Sequence, residues 1–269
     1  MNEKNLIKSE ARKSVLLIPN LALSGEGAKE LKFIGLENYT GMFRDRNVRI
    51  SIVNTLIFLV GSLVGQQVLG FAIALLMKNK NSVFRRIAGP CFLAGWIMPE
   101  VVVALCCKTF FGDEGTMNTI LTALHLPSVE WLYAVPMLTV ILANIWHGTA
   151  FSMMNFQSAL DSVPGDIEEA ARVDGATRFQ TIIHIVLPYI KSSIATNTML
   201  NTLSTLGVFG LIYMMTNGGP GTSTLTLPIF MYRQAFVSQQ LGYGTAISML
   251  LLVIGMILSI IYTRILGND

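Results

Sequence analysis

Charge is scarce in this sequence. Asp, Glu, Lys and Arg supply only 13% of its 269 residues, against about 25% in soluble globular domains. Mean hydropathy is correspondingly positive, +0.56. That deficit excludes an ordinary soluble domain and points to a membrane protein. The net charge of +3 says little about partners, because the placement of Lys and Arg matters more than their sum in such a chain. No nucleic-acid partner is expected.

Reactive constellations are missing as well. Three cysteines, Cys91, Cys106 and Cys107, lie in one apolar stretch without a CxxC pair, and His125, His147 and His184 have no ligand spacing. The cysteines read as small apolar packing residues, and no metal site is expected. There is no H-E-x-x-H and no paired Asp or Ser/His set at span depth, so an intramembrane enzyme is disfavoured and no catalytic residue is assigned. GGPGTST (218–224) superficially resembles a phosphate loop but lacks the lysine and its spacing. The polar start MNEKNLIKSEARK and the apolar piece after it show no small-residue cleavage site, so no cleavable signal peptide is evident.

What the chain does have is long uncharged runs. Residues 51–77, 132–160, 192–232 and 234–263 carry no Asp, Glu, Lys or Arg, and 87–107 carry only Glu100. About 20 apolar residues cross the hydrocarbon as a helix, and helices are required because lipid satisfies no backbone group. The pattern predicts an all-α polytopic membrane protein with five visible spans, their cores near 52–77, 87–110, 133–157, 193–215 and 245–265. Lys78, Lys80, Arg85, Arg86, Arg172, Arg178, Lys191 and Arg264 fall on one side, against Lys108 and Arg233 on the other. Positive residues gather inside, so the 161–191 insert and the C-terminus are expected in the cytoplasm.

The N-terminal segment, residues 1–50, fits poorly. Lys4, Lys8, Arg12 and Lys13 argue for the inside, yet five spans place them outside, and Arg44, Arg46 and Arg49 precede the first long span on the outer face. SVLLIPNLALS has 11 residues, about 16 Å as a helix, too short to cross. Either five spans are native, or one is absent from the sequence.

Within the apolar chain, EEAARVDGATRFQTIIHIVLP (168–188) is an island of charge. Asp166 and Glu169 suggest a cap pair for a helix over 166–174, which Gly175 would end. Thr177 and Gln180 form a second capping-box pattern, followed by Phe179, Ile182, Ile183 and Val186 on one helical face until Pro188. The product is two short helices around a glycine corner. Such a piece fits a socket on a partner protein, with Ala170 and Ala171 allowing close approach. An amphipathic connector lying on the membrane surface is the alternative that the residues leave open.

The insert resembles the EAA loop of inner-membrane permease subunits of binding-protein-dependent ABC importers: Glu169-Ala170-Ala171, Gly175, then Ile185-x-Leu187-Pro188. FIGLENY (33–39), WHGTAFSM (146–153), MTNGGPGTSTLTLPIFMYRQAF (215–236) and LGYGTAISMLLL (241–252) resemble the carbohydrate-importing (maltose/oligosaccharide) branch. The resemblance implies a six-span bundle, with 51–269 as the transmembrane domain and the EAA loop at 161–190. It also implies that about one span is missing near Pro19–Asn20, with Asn20–Ser24 as that span's outer end. By resemblance the loop is a coupling helix docked on a cytoplasmic ATPase. Glu169, Ala170, Ala171 and Gly175 would fit its groove, and Arg172, Asp174, Arg178 and Phe179 would neighbour it. The implied assembly is this chain, a second homologous permease, two ATP-binding cassette ATPases that hold ATP and Mg, and an extracytoplasmic sugar-binding protein, in a bacterial or archaeal cytoplasmic membrane.

Candidates for a carbohydrate path lie within the spans. Glu100, an acid at span depth, is functional by default, although beside Pro99 it could equally bond backbone or a neighbouring subunit. Trp146, His147, Gly148, Phe151 and Asn155 cluster in the third long span. Asn197, Asn201, Thr205, Phe209 and Tyr213 form a stripe at four-residue intervals on the fourth. Aromatic faces and amides suit sugar hydroxyls, while interhelical packing is the competing role for each of them. Import of glycerol-phosphate, peptide or amino acid is the alternative within the family. An ion-coupled carrier would need more intramembrane acids than Glu100.

Overall fold

A computed structural model describes residues 21–24, 30–78 and 80–266. Its first element is a short antiparallel hairpin, β1 (Leu21–Ser24) and β2 (Glu30–Phe33), with Leu21 opposite Phe33 and Ser24 opposite Glu30. The sequence reading placed 20–24 at the outer end of a first span; Leu21–Ser24 is instead extended and paired. The proposed gap at Pro19–Asn20 lies outside the described residues.

Helix α1 (Glu37–Arg44) is followed by α2 (Arg46–Lys78), 33 residues long. Asp45 separates them in an extended conformation, its Oδ1 accepting from the Asn47 N–H at 2.8 Å and its Oδ2 from the Tyr243 hydroxyl at 2.8 Å. After Lys80 come α3 (Ser82–Ile97), capped by Asn81, whose side chain accepts from the Phe84 N–H, and α4 (Glu100–Phe110). Next are α5 (Thr116–Ala123) and α6 (Pro136–Asp161), whose first residue is a proline, suited to a position that needs no N–H.

Among the described residues, three helices are long and apolar enough to cross a membrane alone: α2, α6 and α13 (Leu241–Leu266). Two bent helix pairs are long and apolar enough only when taken together, each as a broken span or a re-entrant loop. The α3–α4 pair turns by 97°, and α10 (Lys191–Leu206) with α11 (Gly210–Thr216) turns by 49°. The predicted straight span at 87–110 is therefore a corner. Pro99 has no N–H to give back to the preceding turn, and its ring holds Met98 extended at φ −60°, ψ 135°. Between α6 and α10 lie α7 (Gly165–Val173), α8 (Arg178–Thr181), a π turn (Ile182–Val186) and α9 (Leu187–Tyr189). Between α11 and α13 lie α12 (Leu227–Tyr232) and a second π turn (Arg233–Val237).

Glycines set the closest packing. A Cβ on Gly61 would meet Ile141, one on Gly65 would overlap Ile145, and one on Gly70 would stand 2.5 Å from Ser152 Cβ and 2.9 Å from the Met153 nitrogen. Both sequences rise together, so α2 and α6 run parallel and their ends, Lys78 and Asp161, emerge on the same side. Small residues let membrane helices gain van der Waals contact that aliphatic lipid would otherwise supply. Two apolar cores result. One joins α2, α4, α6, α11 and α12 through Phe58, Val103, Val140, Leu211 and Ile229. The other lies towards Lys78 and Asp161, where Ala74, Met153, Phe156 and Leu160 pack with Val163, Val186 and Ile190 of the insert.

Candidate functional site

Two places gather the residues singled out from the sequence. The first is the insert. Pro164, extended at φ −60°, ψ 132°, takes the N-cap position two residues before the expected Asp166, so α7 starts at Gly165. Asp166 therefore lies in the first helical turn, where a carboxylate favours the helix dipole, and is not a cap; no side-chain cap bond is made there. The other end matches the glycine expectation. Gly175 has φ +81°; its N–H donates to the Arg172 carbonyl at 3.1 Å, and the Ala176 N–H donates to that of Ala171 at 3.0 Å. That pair of bonds is a Schellman motif. Thr177 and Gln180 form the full reciprocal capping box, with the Thr177 N–H on Gln180 Oε1 at 2.8 Å and the Gln180 N–H on Thr177 Oγ1 at 3.3 Å.

The second helix departs from its expected amphipathic face. Phe179 is 72% exposed and Ile183 39%, while Val186 is buried. The π turn adds a residue to the helical repeat, the Leu187 N–H reaching back to the Ile182 carbonyl, so positions spaced for one α-helical stripe part company. The same turn lets the helix run through Pro188 to Tyr189, where the sequence suggested a break. Glu169, Ala170, Arg172, Asp174, Gly175 and Arg178 are exposed, but Ala171 is buried against this chain. Neighbouring Glu168 is tied to Lys78 at the end of α2.

The second place is a cavity of about 200 Å³ between α2, the α3–α4 corner, α6 and α10. It brings together Glu100, His147, Gly148, Phe151, Asn201 and Thr205, and adds Gln66, Trp96, Asn144 and Ser204. Its construction follows from the broken helix. His147 Nε2 lies 3.2 Å from the Met98 carbonyl, which the Pro99 break leaves without a helical donor. The Leu211 N–H, in the first turn of α11, donates to Glu100 Oε2 at 3.3 Å. Glu100 thus has the backbone partner the sequence left open, and its carboxyl group sits at the starts of both α4 and α11. Gly148 leaves room for the Gln66 amide, which a Cβ would overlap. Trp96 stacks on Phe151 with ring centroids 5.4 Å apart.

Polar pairing separates the lining residues into two groups. Asn201 donates to Ser152 Oγ at 2.8 Å and to Asn197 Oδ1 at 3.2 Å; Asn155 also reaches Asn197 Oδ1 at 3.2 Å, and Asn197 donates to Gln67 at 3.0 Å. This network ties α2, α6 and α10 together, as interhelical amides commonly do. In contrast, Gln66 Oε1 and Asn144 Nδ2 are buried and have no hydrogen-bond partner among the described residues. Buried orphans of this kind are few in native structures, and both residues line the cavity.

Five sequence candidates fall outside it: Asn155 and Asn197, which belong to the amide network, and Trp146, Phe209 and Tyr213. Trp146 is 53% exposed on another face of α6, lining grooves with Phe110 and Leu69. Phe209 and Tyr213 lie past the α10–α11 bend, stacked 5.1 Å apart and joined by Tyr232 at 5.0 and 5.2 Å. Sequence reasoning passed over Gln66 and Asn144; the available signal was an amide in an otherwise uncharged span, with Asn144 three residues before His147. Among the described residues, no cluster of three or more His, Cys, Asp or Glu side chains could hold a metal ion.

The binding-protein-dependent transport system inner membrane component family matches residues 66–266. The chain is 32% identical to the sulfoquinovosyl glycerol transport system permease protein SmoG of Agrobacterium fabrum (strain C58), over 87% of this chain and 77% of that one. It is 29% identical to the trehalose/maltose transport system permease protein MalF of Thermococcus litoralis, over 88% and 80%. Its fold is similar to a solved bacterial ABC transporter involved in importing the acidic polysaccharide alginate, with TM-score 0.81 and 23% identity over 96% of this chain and 89% of that one.

Proposed function

The chain belongs to the family of binding-protein-dependent transport system inner membrane components, and we propose that it is the permease subunit of an ATP-driven sugar importer. It is a multi-pass membrane transport component. Residues 51–269 are its transmembrane domain and 161–190 its coupling loop, which faces the cytoplasm together with the C-terminus. The observation that carries this reading is the exposed α7–α8 corner at the end of an apolar bundle. Glu169, Arg172, Asp174, Arg178 and Phe179 are left bare there, although charged residues supply only 13% of the chain.

That corner docks on an ATP-binding cassette ATPase, one of two in the assembly, and these subunits bind ATP and Mg. The permease itself performs no chemistry. A second homologous permease completes the pathway, and an extracytoplasmic binding protein delivers the cargo. Alternating access follows: nucleotide-driven closure of the ATPases shifts the docked loops, and the spans turn the cavity from one side to the other.

Sugar is the favoured cargo because of the cavity lining. Each saccharide hydroxyl both donates and accepts, matching the unpaired Gln66 oxygen and Asn144 nitrogen, and the Trp96–Phe151 stack offers an aromatic face. The lining is mostly polar, with Gln66, Glu100, Asn144, His147, Asn201, Ser204 and Thr205 beside the aromatic pair. The similar permeases named for trehalose/maltose and sulfoquinovosyl glycerol support the same class.

The test is Glu169→Lys. Reversing one charge of a docking contact costs about 2 kcal/mol or more, roughly thirtyfold in affinity. The variant is expected to insert normally, to lose co-purification of the ATPase, and to lose uptake of labelled trehalose, maltose or whichever sugar the parent complex carries. Uptake at the parent rate would overturn the role of Glu169, and sugar uptake by the purified chain without an ATPase would overturn the whole reading.

A further inference from the structure

Packing alone holds α7 to the spans weakly: of its nine residues only Ala171 is buried. Its covalent link to α6 runs through three residues, 162–164. A separate connection reaches α2. Lys78, the last residue of α2, forms an ion pair with Glu168 of α7, and both side chains are mostly buried, 22% and 16% exposed. Seven positions further along the chain, Arg85 of α3 pairs with Asp161, the last residue of α6. With its amide flipped, the Gln157 oxygen accepts from the Arg85 guanidinium at 2.6 and 2.9 Å. Two ion pairs thus bolt the α2–α3 turn to the α6–α7 turn. The shielded Lys78–Glu168 pair holds its geometry better than the Arg85–Asp161 pair, where Asp161 is 44% exposed and solvent screens the charges.

We propose that the Lys78–Glu168 pair, backed by Arg85–Asp161, is the strut through which movement of α7 reaches α2, so that α2, α6 and α7 move as one body. The inference rests on the docking reading given above. Its mechanical basis is the parallel, glycine-lined α2–α6 contact: a push at the shared end displaces both helices together along the cavity wall that carries Gln66 and Asn144. Without the pair, α7 pulls on α6 alone through residues 162–164. Lys78 and Glu168 are positioning residues in this scheme and touch no cargo.

The experiment uses the assembled complex in lipid nanodiscs, with spin labels at exposed Val53 of α2 and Val253 of α13. Mg-ATP with vanadate is the probe, and the distance between labels is read by pulsed electron resonance. The parent complex is expected to show a nucleotide-dependent shift. Lys78→Met and Glu168→Gln, which keep side-chain length, should each lose most of that shift while the ATPase still co-purifies and hydrolyses ATP. The double reversal K78E/E168K should restore it, as a paired interaction requires. A shift of parent size in the neutral variants, with the ATPase bound, overturns the strut alone. No rescue by the double reversal also overturns it. Failure of the parent chain to retain any ATPase overturns the docking reading and the strut with it.

Discussion

Asn144 and Asn201 are both buried amides on the same cavity wall, yet they have opposite bonding states. Asn201 spends its N–H groups on Ser152 and Asn197, so Asn201→Leu should destabilise the bundle. Double-mutant cycles put such membrane hydrogen bonds at about 0.6 kcal/mol each, up to roughly 1.7. Asn144 Nδ2 has no partner, and an orphaned buried donor costs about 1–3 kcal/mol. Asn144→Leu should therefore leave thermal stability in detergent unchanged or raised, while saccharide uptake by the assembled transporter falls. Equal stability losses in the two variants would assign both amides to packing. From the sequence these residues could not be told apart, because an amide in an apolar span reads the same whether its partner is a helix or a ligand. Glu100 was ambiguous for a similar reason: its partner, the Leu211 N–H, lies more than a hundred residues away.

Elements were legible where a local rule decides them. The uncharged runs gave α2, α6 and α13, and the Thr177–Gln180 box and Gly175 gave the corner between α7 and α8. The 97° turn between α3 and α4 was not legible, since a proline inside a membrane helix is compatible with a mild kink as well as a corner. What fixes the corner is a long-range contact, His147 on the Met98 carbonyl. Elements also carry two further expectations. A side chain on Gly70 has nowhere to go, because its nearest neighbours are Ser152 Cβ and the Met153 backbone. Gly70→Leu should cost about 1–3 kcal/mol or more by overpacking, read as a lowered melting point in detergent. Gly175→Val places a β-branched residue at φ +81°, where the left-handed conformation costs roughly 1–2 kcal/mol. It should fray the α7–α8 corner and weaken ATPase retention while leaving the spans' melting point unchanged; undiminished retention would show that the corner's shape does not matter for docking.

At the scale of the whole molecule, one chain presents three kinds of surface. Aliphatic faces of α2 and α13, such as Val60, Val64, Leu252 and Ile257, are exposed and suit lipid or a second permease. The cavity wall is polar and partly unpaired. The α7–α8 corner is charged and bare, and the Lys78–Glu168 ion pair fastens it to the end of α2. The central claim, that this corner is where an ATPase subunit drives the permease, is tested most directly by a photo-crosslinking residue in place of Phe179 in living cells. Crosslinking there should capture an ATP-binding cassette subunit, identified by mass spectrometry, while the same probe at Tyr133 on the opposite side should capture none. Capture of that subunit from Tyr133 but not from Phe179 would contradict the account.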